Sequence, residues 1–221
     1  MPKNKLRKFT ELSNLDNVIE ASDYNLQQDL EIKSRWKSDF FRNTNPIVLE
    51  LGCGKGEYSV ELAKRYPQKN FIGIDIKGNR LWKGATVATN QQLNNIGFLR
   101  LSIQNIKFCF TEGEVDEIWI TFPDPQIKRR RSSKRLTHPS FLNSYKNILC
   151  PNGFIHLKTD SRFLYGYTIG ILNDSFYKIY DSTHDLYSSS MERNDIDIIT
   201  FYEKKFLDLG LPINYIKFGF A

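Results

Sequence analysis

Two stretches of the 221-residue chain carry residue types and spacings suited to chemistry. The first is ELGCGKGE, in which Gly52, Gly54 and Gly56 alternate and Glu50 stands two residues ahead of the first glycine. Glycines so spaced let a backbone turn tightly and approach a ligand where a Cβ would collide. The second is Pro123-Asp124-Pro125, followed by Lys128, Arg129, Arg130, Arg131, Lys134 and Arg135. Prolines on both sides restrict the backbone around Asp124 and hold its carboxylate in place. The cations behind it suit phosphate groups. A solvated basic face is the plainer reading of such a run. Its position beside a turn that ends a strand favours phosphate contact.

The glycine loop discriminates among ligands. A dinucleotide fingerprint needs a glycine at position 57, where this chain has Glu57. A phosphate-binding P-loop needs Lys and Ser/Thr after the last glycine, and Glu57 and Tyr58 follow instead. GxGxG with an acid two residues upstream is the S-adenosylmethionine pattern. Glu50 suits the cationic amino group of the methionine moiety, and Asp75 can accept both hydroxyls of the ribose.

These residues need a scaffold, and the chain alternates strand and helix patterns from Pro46 onward. Strands are expected at 47–51, 71–75, 98–102, 117–122, 154–160 and 213–220, with CPNG (150–153) as a turn. Helical patterns cover 57–66, 79–93, the region of Phe141, Tyr145 and Ile148, 161–172 and 200–210. Residues 184–195 read as a polar, mobile loop. The alternation implies an α/β fold with a doubly wound, mostly parallel sheet. Ligands in such sheets sit beyond the carboxyl ends of the strands. That places Glu50–Gly56, Asp75, Ser102, Asp124 and Asp160 on one rim. Residues 1–45 read as a basic tail and short helical extension, and 46–221 as the domain.

The formal charge is +6, unevenly placed. Lys3, Lys5, Arg7, Lys8 and the six cations of 128–135 leave 21 basic against 25 acidic residues elsewhere. Positive charge concentrated on an otherwise acidic body favours a polyanionic partner. Cys53, Cys109 and Cys150 are odd in number and lack a CxxC spacing, which suits a reducing cytoplasm. Neither they nor His138, His156 and His184 form a metal-ligand pattern, so no metal is expected. No apolar run approaches the ~20 residues that span a bilayer, and no membrane association is expected.

With ELGCGKG, GID, FPDPQIKRR, KRLTHPSFL, HLKTD and TFYEKKF in order, the chain resembles bacterial tRNA (guanine-N7)-methyltransferases from about residue 46 onward. The resemblance implies a Rossmann-like class I methyltransferase fold and methyl transfer from S-adenosylmethionine to N7 of guanine 46 in the tRNA variable loop. By resemblance, Glu50, Asp75, Ser102 and Asp124 line the cofactor site. Lys128, Asp160 and Thr200, Phe201, Tyr202 and Glu203 correspond to the tRNA-substrate positions. Departures are visible. Gln126-Ile127 replaces the usual Trp-Pro after Asp124-Pro125, and Asp75 stands where Glu is common. Ser102 stands where Asp is usual, and Gln104, two residues on along the same strand, is the candidate to replace its adenine contact.

Guanine N7 carries a free lone pair, so no proton must leave before methyl transfer and no strong general base is needed. Alignment with the methyl donor, and a carboxylate near the positive charge that develops on the purine, are what remain. Asp124 is the candidate for that catalytic role. Asp160 and Glu203 can accept hydrogen bonds from guanine N1–H and the N2 amino group. Structural roles compete: Asp160 as an N-cap before SRFLYGY, and Thr200-x-x-Glu203 as a capping box. Two other functions share the pattern. An amine-directed nucleic-acid methyltransferase would want an aromatic where Ile127 stands, and a catalytically silent RNA-binding module has no use for the glycine loop with Glu50.

Overall fold

The computed structural model describes residues 3–21, 26–191 and 195–221, with side chains from Leu6 on. Among these residues, eight strands form one sheet. They are β1 (Val18–Ala21), β2 (Ile47–Leu51), β3 (Asn70–Asp75), β4 (Ile96–Leu101), β5 (Val115–Thr121), β6 (Leu149–Thr159), β7 (Tyr177–Thr183) and β8 (Asn214–Phe220). Their order is β1-β4-β3-β2-β5-β6-β8-β7. Pairings from β1 through β6 are parallel, and β8 is antiparallel to both β6 and β7. The chain thus winds outward in both directions from β2, and the topological switch lies between β2 and β5.

Continuous burial explains why the central strands are apolar throughout: every residue of β2 and β3 is buried. Alternate residues feed two cores. Ile47, Leu49 and Leu51 join one with Leu142 and Tyr145 of helix α4 (Pro139–Ile148) and Leu164 of α5 (Arg162–Leu172). Val48 and Phe71 join the other with Tyr58 of α2 (Glu57–Arg65), Leu81 of α3 (Gly78–Asn90) and Leu12 of α1 (Lys3–Leu12). A last helix, α6 (Phe201–Asp208), packs Phe206 and Leu207 on this second core.

Several expectations shift. The boundary at 45/46 does not separate two packing units. β1 pairs with β4, and Ala21, Trp36 and Phe41 lie in the first core. Residues 150–153 belong to β6 rather than a free turn, but as a bulge. Its register with β5 jumps from Val115–Leu149 to Glu117–Phe154, and Asn152 takes a φ of 69°. β4 ends at Leu101, so Gln104 sits in a 3₁₀ turn, Ile103–Phe108, and not along the strand. The segment at 184–191 is anchored: Leu186 is buried and donates to the Ile213 carbonyl at 2.7 Å. Residues 192–194 of that expected mobile loop lie outside the described residues.

Candidate active site

A cavity of about 410 Å³ opens at the carboxyl ends of the central strands, lined by the glycine loop, the Thr121–Pro125 turn, Asp160 and the start of α6. Glu50 forms part of its wall. The side chain is buried, its Oε1 accepts from Thr121 Oγ1 at 2.6 Å, and its Oε2 accepts from the Ser59 amide at 2.9 Å and from Ser59 Oγ. Burial pushes its carboxyl up to about 7 against these bonds, with Asp75 adding repulsion. A buried acid of that kind, open to a cavity, is suited to receive a cation.

Gly52 and Gly54 turn the loop with φ of 77° and 57°, and a Cβ on Gly54 would meet nothing within 4 Å. That glycine leaves the cavity wall bare. Gly56 has a different reason: its φ is 69° and a Cβ would lie 2.6 Å from the Phe98 ring, so it serves packing beneath the loop. Asp75 Oδ2 accepts from the Gly54 amide at 3.0 Å and Oδ1 from the Lys77 amide at 2.8 Å. It braces the loop, and it is not among the residues lining the cavity. Ser102 is also outside the lining and begins the 3₁₀ turn after β4.

On the opposite side, Phe122 leaves β5 with a φ of 46°, and the turn that follows exposes Asp124 to the cavity. Asp124 Oδ1 accepts from the Gln126 amide at 3.0 Å, which fixes the carboxylate relative to its own turn. Lys128 and Arg129–Arg131 follow, exposed, with Lys134, on a 3₁₀ turn of which no residue is buried. Arg135 departs from the expected row of RNA-facing cations. It is 5% exposed and turned into the protein. In the other basic segment, Arg7 pairs with Glu11 at 3.4 Å and Lys8 lies over Trp82, while the side chains of Lys3 and Lys5 lie outside the described residues.

The N-cap of α5 is Ser161, whose side chain accepts from the Leu164 amide. Asp160 is therefore not spent on capping; it lines the cavity half-buried, and burial raises its carboxyl above the usual range. Thr200 does cap α6, accepting from the Glu203 amide at 3.3 Å. Thr200 and Tyr202 line the cavity, whereas Phe201 is 60% exposed outside it. Glu203 requires a correction. It is wholly buried, its Oε1 takes Lys158 Nζ and Tyr187 OH, each at 2.7 Å, and it is not among the residues lining the cavity.

Lys158 is the residue that sequence reasoning passed over. It is 0% exposed, and Nζ donates to the carbonyls of Ile196 (2.6 Å) and Ile198 (3.0 Å) besides pairing with Glu203. All three of its donors are used. Burial depresses its pKa, and the Glu203 carboxylate opposes that. One buried lysine thus ties the segment 196–203 to β6. Glu57 Oε2 adds a bond from the Phe201 amide at 2.8 Å, joining α6 to the glycine loop. The signal was a cation inside an apolar strand, a place where lysine is rarely found unless paired.

A family model described as "Putative methyltransferase" matches residues 44–215. A tRNA (guanine-N(7)-)-methyltransferase of Christiangramia forsetii is 51% identical over 218 residues, covering 98% of this chain and 97% of that one. This chain belongs to the tRNA (guanine-N(7)-)-methyltransferase family. Family members from Bacteroides fragilis (46% identical; 99% of this chain, 86% of that one) and Clostridium acetobutylicum (34%; 90% and 92%) extend the match. Among solved structures, a 16S rRNA methyltransferase, KamB, superposes with a TM-score of 0.64 at 12% identity, covering 90% of this chain and 96% of that one. A 30S ribosomal A1408 methyltransferase from an uncultured bacterium gives 0.62 at 18%, covering 87% and 96%. At such identities the likeness is one of fold: the class I methyltransferase sheet.

Proposed function

We propose that this family member transfers the methyl group of S-adenosylmethionine to N7 of a guanine in tRNA, position 46 of the variable loop. The observation that carries the reading is the pairing, across one cavity, of the buried Glu50 with the exposed Asp124. The cavity volume, about 410 Å³, falls within the ~300–1,000 Å³ of small-molecule sites. Glu50 is available to an ammonium group, and the bare backbone at Gly54 admits a close ligand. The residues fit the cofactor, which when bound supplies a methyl group on a sulfonium.

The chain's own residues then have the work of placement. Exposed cations from Lys128 to Lys134 hold tRNA phosphates. Asp160 accepts from the N1–H and N2 donors of guanine, for which a carboxylate is the natural acceptor. Tyr202 bounds the cavity with a ring on which a base can stack. Asp124 stabilises positive charge as it grows on the purine, and no residue needs to remove a proton. Three free cysteines, two of them buried, support a cytoplasmic setting. Among the described residues no helix is long and apolar enough to cross a membrane, and no cluster of His, Cys, Asp or Glu could hold a metal.

The test is a tRNA carrying 7-deazaguanine at position 46, which lacks the nucleophile and keeps the N1 and N2 donors. It should bind like the natural tRNA and accept no methyl group there. Methyl transfer to that base would place the chemistry on another atom. Asp124→Ala should lower turnover by about 10²–10³, the scale of losing one charge-stabilising contact, with Asp124→Asn keeping part of the alignment.

A further inference from the structure

Of the six cations between 128 and 135, Arg135 alone is withdrawn from solvent. Its Nε and Nη2 donate to the Gln126 carbonyl at 3.3 and 3.1 Å, and Nη2 lies 3.5 Å from the Ile127 carbonyl. Its guanidinium carbon sits 4.3 Å from the centre of the Tyr167 ring and 4.8 Å from that of Phe163, both on α5. Carbonyls thus engage the edge of the guanidinium and aromatic rings pack against it, an arrangement that suits its planar, multi-donor shape. A group so placed is not offered to a phosphate.

What it holds is the turn that carries Asp124. Gln126 receives Arg135 at its carbonyl and gives its amide to Asp124 Oδ1 at 3.0 Å. Gln126 has a φ of 45°, a conformation that costs a non-glycine residue on the order of 1 kcal/mol or more and persists only where the surroundings impose it. Ile127, the next residue, is 67% exposed and does not anchor the turn in the core. Ahead of Asp124, Phe122 stacks on Phe206 of α6 and donates its amide to the Lys158 carbonyl. After Asp124, the turn's support runs through Arg135 to α5.

We infer that Arg135 is a positioning residue: it fixes the Asp124 turn from behind rather than touching RNA. This rests on the reading of Asp124 given above. The basic 3₁₀ turn and the Asp124 turn are then one rigid piece, so phosphates that settle on Arg129–Lys134 bring the guanine to a carboxylate already in place. A loosened turn misplaces Asp124, and misplacement near 1 Å can cost about a hundredfold in rate.

The two roles separate in steady-state kinetics. Arg135→Gln should lower kcat by roughly tenfold to a hundredfold and leave the KM for tRNA, the salt dependence of tRNA binding and cofactor affinity unchanged. Arg135→Lys retains charge and one carbonyl bond, and should recover kcat only in part. A backbone contact would give the opposite: a raised KM, a flatter salt dependence, intact kcat, and full rescue by lysine. That outcome, or wild-type kinetics throughout, overturns the inference. Should Arg135→Gln fail to fold, Phe163→Leu with Tyr167→Leu removes the aromatic packing while the arginine stays. It should show the same kcat-specific loss, and wild-type kcat there counts against the inference. Combining Arg135→Gln with Asp124→Ala should add no loss beyond Asp124→Ala alone, whereas additive losses would show that Arg135 does not act through Asp124. A wild-type kcat for Asp124→Ala by itself would sink the Asp124 reading, and this inference with it. A loss there alongside normal Arg135 variants would sink the inference alone.

Discussion

On the glycine-loop side of the cavity, the acids are bonded before any ligand arrives. Glu50 holds the Ser59 amide and the Thr121 hydroxyl, and Asp75 holds two backbone amides. On the other side Asp124 and Lys128–Arg131 face solvent. The difference fits the partners proposed for the two sides. A small cofactor is recognised by fixed geometry, and burial makes each contact specific at the cost of desolvation. A polyanion is recognised by charges that stay hydrated until phosphate replaces their counterions. Lys158 crosses this division. It stands beneath the substrate side yet is buried and fully paired, as the cofactor side is.

That exception yields the largest expected effect. Lys158→Met leaves the Glu203 carboxylate buried without its cation, and removing one partner of such a pair costs about 3–5 kcal/mol. Denaturant unfolding should show that loss. Lys158→Met combined with Glu203→Leu should restore part of it, because no uncompensated charge remains, while the Ile196 and Ile198 carbonyls and the Tyr187 hydroxyl still lose a partner. A single variant as stable as the parent would mean that the pair does not hold α6 in place.

The two sides also differ in how far they could be read from residues alone. Buried parallel strands write themselves as apolar runs, so β2 was legible to the residue and β3 within one. β7 was not foreseen, because its middle residues are exposed and it presents no apolar face of its own. β1 is only four residues long. The glycine loop was legible as a ligand site, while the separate reason for Gly56 needed Phe98 brought from β4. The burial of Arg135 and Glu203 was not legible, for one shared reason. A charged residue in a polar context reads as exposed, and only their distant neighbours, Phe163 and Tyr167 for one and Lys158 for the other, turn them inward. The exposed cations from Lys128 to Lys134 lie where a local reading suffices.

The contrast between the sides sharpens with pH. Without ligand, the Glu50 carboxyl is raised to about 7, so below that pH the cavity holds a neutral acid. An ammonium group favours the ionised form, and binding must then release a proton. Cofactor affinity should therefore fall by up to about tenfold per unit as pH drops below 7, and level off above it. Without ligand the same group lowers folding stability as pH rises from about 4.5 to 7, since the native state retains a proton that the unfolded chain gives up. Calorimetric titrations across that range test the assignment. A flat affinity profile, or one unchanged in Glu50→Gln, would remove Glu50 as the ammonium partner.

The smallest effect belongs to the exposed cations, and it is the one that distinguishes them from Arg135. Each phosphate contact contributes about 0.9 to the slope of log affinity against log salt on duplex nucleic acid, and about 0.7 on single strands. Arg129→Gln with Arg130→Gln should therefore flatten the slope for tRNA by up to about two units. The loss of affinity should be clear at low salt and fade as salt rises. Turnover on saturating tRNA should hold, because neither side chain reaches the cavity lining. Cofactor affinity should hold as well, with the nearest bonded acids on the far side of the cavity. A slope identical to the parent's would mean that these arginines face solvent only and that tRNA lands elsewhere on the rim, where Lys55 of the glycine loop and Lys77 and Arg80 at the start of α3 line the cavity.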